Sequence, residues 1–140
     1  MNIPDTARAH ARDLLDFIDA SPSPWHAVLT CETRLQAAGF CRLEETDRWL
    51  LAPGGRHYVV RGGSSIIAFI VGNRPAAETG LRLIGAHTDS PGLRLKPKPA
   101  ETAAGMVRLG VEVYGGPILA TFADRDLSLA GRVNVRVPGG

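Results

Sequence analysis

The sequence predicts an α/β protein, with helices and buried strands in its N-terminal part and only strands in its C-terminal part. Three observations support this fold class. Residues 5–20 have helical periodicity, residues 64–72 are apolar almost throughout, as in a strand buried on both faces, and residues 106–114 alternate apolar and polar side chains. The 140 residues suffice for one ordinary domain with a real hydrophobic core.

Two helices are predicted in the first part of the chain. The first is the periodic segment just named, which Asp5 or Thr6 can cap and which ends where two prolines interrupt the pattern. Its apolar face consists of Ala7, Ala11, Leu14, Leu15 and Ile18. The second helix begins with Ser23 as its N-cap and Pro24 as its first residue, and it ends at Gly39.

His26 lies in the first turn of the second predicted helix. The N-terminus of a helix is electropositive, and it disfavours a charged imidazole at this position. We therefore predict a neutral, hydrogen-bonded side chain with a structural role. A metal-ligand role for His26 is the weaker alternative.

Further strands follow the two helices. Residues 56–61 and 64–72 predict a hairpin around Gly62-Gly63, a dipeptide that supports tight turns. Residues 81–86 form a short apolar run, typical of a buried strand that delivers polar side chains to a crevice at its carboxyl end. Residues 127–137 alternate as a further half-exposed strand does.

The polar cluster that follows residues 81–86 is the candidate site. His87 and Asp89 point to the same side of an extended backbone, because alternate residues share a face. An imidazole beside a carboxylate suits a metal ligand with an orienting partner, and it also suits half of an acid/base pair. An ordinary structural pair stays open as an alternative. A Ser/His/Asp hydrolase that uses Ser90 is disfavoured, because the sequence has no Gly-x-Ser-x-Gly elbow.

Composition and charge exclude several classes of protein. The net charge of +2 gives no strong electrostatic signal for nucleic acid or for an anionic membrane. No apolar run approaches the ~20 residues of a spanning helix, and Asp5, Asp13 and Asp16 interrupt any signal-peptide pattern. Cys31 and Cys41 form no CxxC motif. We therefore expect a protein of the reducing cytoplasm, without nucleic-acid or membrane partners.

The segment Leu93–Pro99 predicts a boundary between subdomains, because it alternates apolar and basic residues and then stops at two prolines. The chain finishes on a strand pattern that has no partner of its own. Such an end is typical of a fragment, or of a chain that stops partway through a second domain. Open strand edges of this kind invite association.

Four stretches of the sequence share their order and spacing with a known family. They are Ser21–Val28 (SPSPWHAV), Gly85–Pro97 (GAHTDSPGLRLKP), Val111–Gly116 (VEVYGG) and Asp124–Val133 (DRDLSLAGRV). Together they resemble the N-terminal part of the M18 aminopeptidases, the aspartyl aminopeptidase family, and the resemblance covers nearly all of the chain. One departure concerns packing, because Phe122 and Ala123 stand where the family usually has Trp and a bulky apolar residue.

The resemblance implies an α/β fold: the N-terminal part of a di-zinc exopeptidase catalytic domain over residues 1–98, and the start of an inserted β-rich dimerisation domain over residues 99–140. Family members release N-terminal residues from peptide substrates, typically Asp or Glu, and form dimer-based, dodecameric homo-oligomers. His87 matches the first zinc ligand. Asp89 matches the catalytic-site carboxylate that supports the metal site.

The resemblance also implies two zinc ions in each active site of the complete enzyme. The bridging carboxylate, the general base and the remaining ligands correspond to positions beyond residue 140, and no substrate-binding residue is identified. Our first hypothesis is therefore a zinc-dependent aminopeptidase function of which this chain alone is an inactive N-terminal fragment. The alternative is a non-catalytic binding or assembly module that is derived from the same fold and pairs through its β-rich end.

Overall fold

A computed structural model of the protein describes residues 3–137. The described chain contains both helices and strands, which confirms the α/β class. It divides into two compact units. The first consists of residues 3–88 together with residues 130–137, and the second consists of residues 89–129.

The first unit holds three helices and one sheet. Its elements in chain order are α1 (Asp5–Asp19), α2 (Pro24–Ala37), β1 (Cys41–Arg42), β2 (Arg56–Arg61), β3 (Ser65–Ile70) and α3 (Ala76–Thr79). The sheet order is β1-β2-β3, with β1 parallel to β2 and β2 antiparallel to β3. No helix in the described range is both long enough and apolar enough to span a membrane.

The two predicted helices are confirmed, and one predicted cap is wrong. Helix α1 begins after Pro4, and no side chain caps it. Asp5 instead lies inside its first turn, where a carboxylate faces the electropositive helix end. Helix α2 has the predicted cap: Ser23 is extended and accepts a hydrogen bond from the backbone N–H of His26. Gly39 follows the end of α2 with a φ of +79°, which a glycine adopts without strain.

The predicted hairpin is also confirmed. Strands β2 and β3 pair from Arg61 and Ser65 outward, and the backbone N–H of Ser64 donates to the carbonyl of Arg61 at 3.2 Å. Gly62 and Gly63 have φ values of +58° and +70°. Two successive positive φ angles match the twist of a hairpin turn, and glycine is the residue that adopts them most easily.

The prediction that residues 64–72 form a strand buried on both faces is wrong. Within the described residues, β3 is an edge strand, and Ile67 and Ile70 are 70% and 61% exposed. The central strand is β2, whose Tyr58 is fully buried. An apolar sequence shows that a strand can be covered on both faces, but it does not show which strands flank it.

Two further predicted strands are absent from the described residues. Neither residues 81–86 nor residues 127–137 have strand structure. Leu83, Ile84 and Val133 are 87%, 101% and 83% exposed. A strand requires a hydrogen-bonded neighbour, and no strand among the described residues pairs with either segment.

The core of the first unit lies between α2 and the sheet. Ala27 and Val28 of α2 are buried, as is Tyr58 of β2, whose hydroxyl accepts a hydrogen bond from Gln36 Nε2 at 2.7 Å. Arg132 ties the returning segment 130–137 to this unit. Its guanidinium donates to a carbonyl of the hairpin turn and lies 5.1 Å from the centroid of the Trp25 ring.

The second unit is built on one antiparallel pair of strands, β4 (Gly92–Ala103) and β5 (Met106–Tyr114), followed by a short 3-10 helix. Strand β5 has the predicted bounds. The boundary predicted from composition at Leu93–Pro99 falls inside β4, where the pairing is irregular between Leu95 and Ala100. Proline has no N–H for the ladder, so an irregularity there has a local cause. The domain division at residues 98 and 99 stays a prediction.

Candidate metal centre

His87 follows residues 81–86, an exposed segment of the first unit, and His87 is itself exposed. The next residue anchors this segment: Thr88 Oγ1 donates a hydrogen bond to the carbonyl of Ser64 at 2.8 Å. Ser64 closes the turn between β2 and β3. The backbone beside His87 is therefore fixed by the hairpin, although it belongs to no strand.

Asp89 is the first residue of the second unit and is half-buried. The phenolic O–H of Tyr114 donates a hydrogen bond to Asp89 Oδ2 at 2.5 Å. Tyr114 closes β5 and lies opposite Gly92 in the ladder. A hydrogen bond to an ionised acceptor is shorter and about twice as strong as a neutral one. The carboxylate therefore has a defined partner within its own unit.

The ring of Tyr114 is covered by a cation. The guanidinium carbon of Arg94 lies 3.4 Å from the ring centroid. The pKa of Tyr114 is raised, first because its O–H donates to Asp89, while the positive charge of Arg94 acts in the opposite direction. The phenol therefore keeps its proton, and its role as a donor, to a higher pH than an ordinary tyrosine does.

The turn after Tyr114 packs closely against the segment that follows Asp89. Gly115 has a φ of +68°, and a Cβ built on it would lie 3.3 Å from Pro91 Cβ. Both its backbone conformation and this close approach favour glycine. The pairing of Gly92 with Tyr114 and this contact hold the start of β4 and the end of β5 together beside Asp89.

His26, the other histidine weighed as a ligand, has a hydrogen-bonded structural position. Its Nδ1 lies 2.7 Å from Ser23 Oγ, and Ser23 is buried. The predicted hydrogen-bonded side chain is therefore confirmed. This contact closes the first turn of α2 through the same serine that caps the helix.

The donors suit zinc in kind but not in number. An imidazole and a carboxylate are ordinary zinc ligands or supports, and a zinc site takes about three to four protein ligands. Within residues 3–137, no three His, Cys, Asp or Glu side chains come together as a metal site. His87 belongs to the first unit and Asp89 to the second.

Sequence reasoning missed Tyr114 as a functional candidate. It lies in the stretch Val111–Gly116, to which no role was given. If the pairing continued in register from Ala103 and Met106, Pro117 would lie opposite Gly92. The irregularity in β4 puts Tyr114 there instead. The only available signal was the position of a hydroxyl-bearing residue at the end of a strand in a hairpin that begins just after Asp89.

Comparison with known proteins places these features in context. The family model of the aminopeptidase I zinc metalloproteases, M18, matches residues 17–140. A probable M18 family aminopeptidase 2 of Ectopseudomonas mendocina is 57% identical over 126 residues, which are 90% of this chain and 29% of the relative. The chain thus spans less than a third of the length of the curated relatives it matches.

Solved structures agree with the sequence matches. The fold is similar to a chain of the Ape4 and Nbr1 complex, with a TM-score of 0.77 and 41% identity, over 90% of this chain and 25% of that one. It is also similar to a chain of the mApe1 dodecamer of S. cerevisiae, with a TM-score of 0.75 and 35% identity, over 83% of this chain and 27% of that one.

Proposed function

The chain belongs to the M18 family of zinc metalloproteases, and from this membership we propose that it supplies one corner of the active site of a zinc aminopeptidase. The observation that carries the proposal is the segment around His87 and Asp89, which lies within the matched residues and has its carboxylate held by Tyr114. The names of the relatives support peptide bond hydrolysis at the N-terminus of a substrate.

Each residue of the corner has its own role. His87 offers an exposed imidazole as a metal ligand. Asp89, two residues later, offers the carboxylate that fixes the tautomer of such a ligand and raises its basicity. A zinc ion held there by His87 would supply Lewis-acid chemistry toward water and the scissile carbonyl. The Tyr114 hydroxyl keeps the Asp89 carboxylate in one position.

The finer parts of the proposal rest on the family resemblance. They are a preference for acidic N-terminal residues, Asp or Glu, two zinc ions in each complete site, and a division between catalytic and inserted domains at residues 98 and 99. A dimer-based homo-oligomer is supported by the dodecamer among the similar structures. The free cysteines Cys31 and Cys41 support a reducing, cytoplasmic location.

We further propose that a protein of these 140 residues alone does not hydrolyse peptides. The support is the donor count, because the described residues bring no three candidate ligands together. The alternative of a non-catalytic assembly module receives no support from relatives that are named as aminopeptidases.

The ligand role is tested by equilibrium dialysis of the chain against zinc. We expect His87→Ala to lower zinc binding, whereas His10→Ala, which removes an exposed histidine of α1, leaves it unchanged. Equal binding by the wild type and His87→Ala would refute the ligand role. The claim of inactivity is tested with aspartyl and glutamyl aminoacyl substrates and added zinc, and robust turnover that His87→Ala abolishes would overturn it.

A further inference from the structure

We propose that Tyr114 is a positioning residue that holds the Asp89 carboxylate in a single orientation. The contact lies wholly within the second unit. Its consequence for a bound metal rests on the proposed function, in which Asp89 supports the ligand His87. The contact and its consequence are therefore separable by experiment.

A carboxylate needs such a partner to stay in one orientation. The terminal torsion of an aspartate is broad, so its two oxygens exchange places easily when nothing holds them. The Tyr114 O–H is 2.5 Å from Oδ2 of Asp89, and both side chains are half-buried. A hydrogen bond to one of the two oxygens restricts that rotation.

The donor is itself fixed from several sides. Tyr114 is paired with Gly92 in the ladder, and the Arg94 guanidinium lies 3.4 Å from its ring centroid. Gly115 brings the next peptide against Pro91. A supporting group constrains a site only if its own position is locked by packing and hydrogen bonds, and Tyr114 meets this condition.

The chemistry of the donor also suits the role. A phenol is neutral, so it orients Asp89 without cancelling the negative charge by which a carboxylate raises the basicity of a metal ligand. A lysine or arginine donor in its place would form an ion pair with the carboxylate and reduce that effect. Arg94, the cation of this cluster, faces the ring of Tyr114.

The contact is tested by NMR on the 140-residue chain with aspartate labelled with ¹³C at the carboxyl group. Tyr114→Phe keeps the ring under Arg94 and removes only the hydroxyl. We expect the Asp89 resonance, identified as the one lost in Asp89→Asn, to shift in Tyr114→Phe. The matched control is Tyr58→Phe, which removes the phenolic hydroxyl that meets Gln36 in the first unit, and it should leave that resonance in place.

An Asp89 resonance that does not move in Tyr114→Phe would overturn the proposal, whether or not the chain binds zinc. If the amide resonances of β4 and β5 show that Tyr114→Phe unfolds the second unit, a measurement on the wild type tests the hydrogen bond instead. A hydrogen bond from a phenol gives the Asp89 carboxyl resonance an isotope shift between H₂O and D₂O. A resonance without that shift would equally overturn the proposal.

The consequence for the metal is measured as the zinc Kd of the wild type, Tyr114→Phe, Asp89→Ala and the double variant. Loss of an outer partner of a metal ligand costs on the order of 10-fold or more in affinity, which is the weakening expected for Asp89→Ala. We expect a smaller weakening in Tyr114→Phe, which leaves the Asp89 carboxylate in place and removes only the hydroxyl that orients it. In the Asp89→Ala background the same change should have no further effect, because Tyr114 acts through Asp89.

The outcomes separate this inference from the proposed function. If His87→Ala weakens zinc binding and Tyr114→Phe does not, the contact does not serve the metal and that part of the inference is overturned. If His87→Ala has no effect, the proposed ligand role fails instead. The carboxyl resonance still decides whether Tyr114 positions Asp89.

Discussion

The buried hydroxyl of Tyr58 offers the sharpest test of how the first unit is held together. Tyr58 is fully buried, and its hydroxyl accepts a hydrogen bond from Gln36 Nε2 at 2.7 Å. Tyr58→Phe removes that acceptor and keeps the ring. Gln36 is exposed, so its amide can turn to water once the partner is lost. Tyr58→Phe should therefore lower the free energy of unfolding by the net value of an ordinary hydrogen bond, about 1 kcal/mol, and not by the larger cost of a buried donor without an acceptor.

Tyr58→Ala separates the ring from the hydroxyl. Removing a large buried aromatic side chain costs about 3–5 kcal/mol, because the transfer free energy of the side chain is lost and a cavity is left in its place. Ala27 and Val28 are the other buried apolar residues of the described core, so little else is available to fill the space. We expect Tyr58→Ala to unfold the first unit at room temperature, while Tyr58→Phe lowers its midpoint by about 4–8 °C.

The assay is urea unfolding followed by circular dichroism, with Gln36→Ala and the double variant completing a thermodynamic cycle. We expect a coupling free energy between the two side chains of about 1 kcal/mol, with an unchanged dependence on urea. Additive effects of the two single changes would refute the hydrogen bond. A Tyr58→Phe variant as unstable as Tyr58→Ala would refute the expectation that the ring contributes more to stability than the hydroxyl.

Three further predictions concern the turn, a surface ion pair and the thiols. Gly115→Ala should destabilise the second unit by about 1–2 kcal/mol, because an L-residue is strained at positive φ, and its Cβ would meet Pro91 at 3.3 Å. Gly116→Ala, which has nothing within 4 Å, is the control, and amide hydrogen exchange of β4 and β5 is the measurement. Arg61 holds the pKa of Glu45 below its ordinary value through their hydrogen bond. A glutamate whose pKa is lowered in the folded state stabilises the folded protein at every pH above the ordinary glutamate pKa. Any stability advantage of the wild type over Glu45→Gln should therefore vanish as the pH falls through the pKa of Glu45 in the folded state. Because both groups are exposed, it should also shrink with added salt, and an advantage that persists in acid would contradict this assignment. Burial raises the pKa of the Cys31 thiol, against the influence of Arg34, so iodoacetamide should modify exposed Cys41 faster near neutral pH, as mass spectrometry would show. Faster modification of Cys31 would contradict the packing of α2.

Local patterns predicted the local elements. The periodicity of α1, the Ser23-Pro24 start of α2 and the Gly62-Gly63 turn all depend on residues close in sequence, and the structure confirms each of them. The cap of α1 was predicted wrongly because the helix begins one residue earlier than expected: Pro4 takes the N-cap position and Asp5 already lies in the first turn. Its boundary moved by a single residue, which is the ordinary uncertainty of a helix end.

Pairing between distant segments was predicted less well, for a physical reason. An apolar run such as residues 81–86 indicates side chains that favour burial. A strand also requires a neighbouring strand whose backbone N–H and C=O groups form hydrogen bonds with its own. The same run gave no information about that neighbour. The prediction that β3 is buried on both faces failed in the same way, since Ile67 is 70% exposed at the edge of the described sheet.

The candidate site shows the same division between pattern and pairing. His87 and Asp89 are found from their spacing, whereas Tyr114 depends on the irregularity in β4. A regular ladder from the Ala104-Gly105 turn would place Pro117 opposite Gly92 and leave Tyr114 three positions along the strand. At about 3.3 Å per residue, its hydroxyl would lie about 10 Å from its present place, beyond hydrogen-bond reach of Asp89. Pro97 and Pro99 first indicated the end of a subdomain; in the structure they lie where the register changes, and that change brings the phenol to the carboxylate.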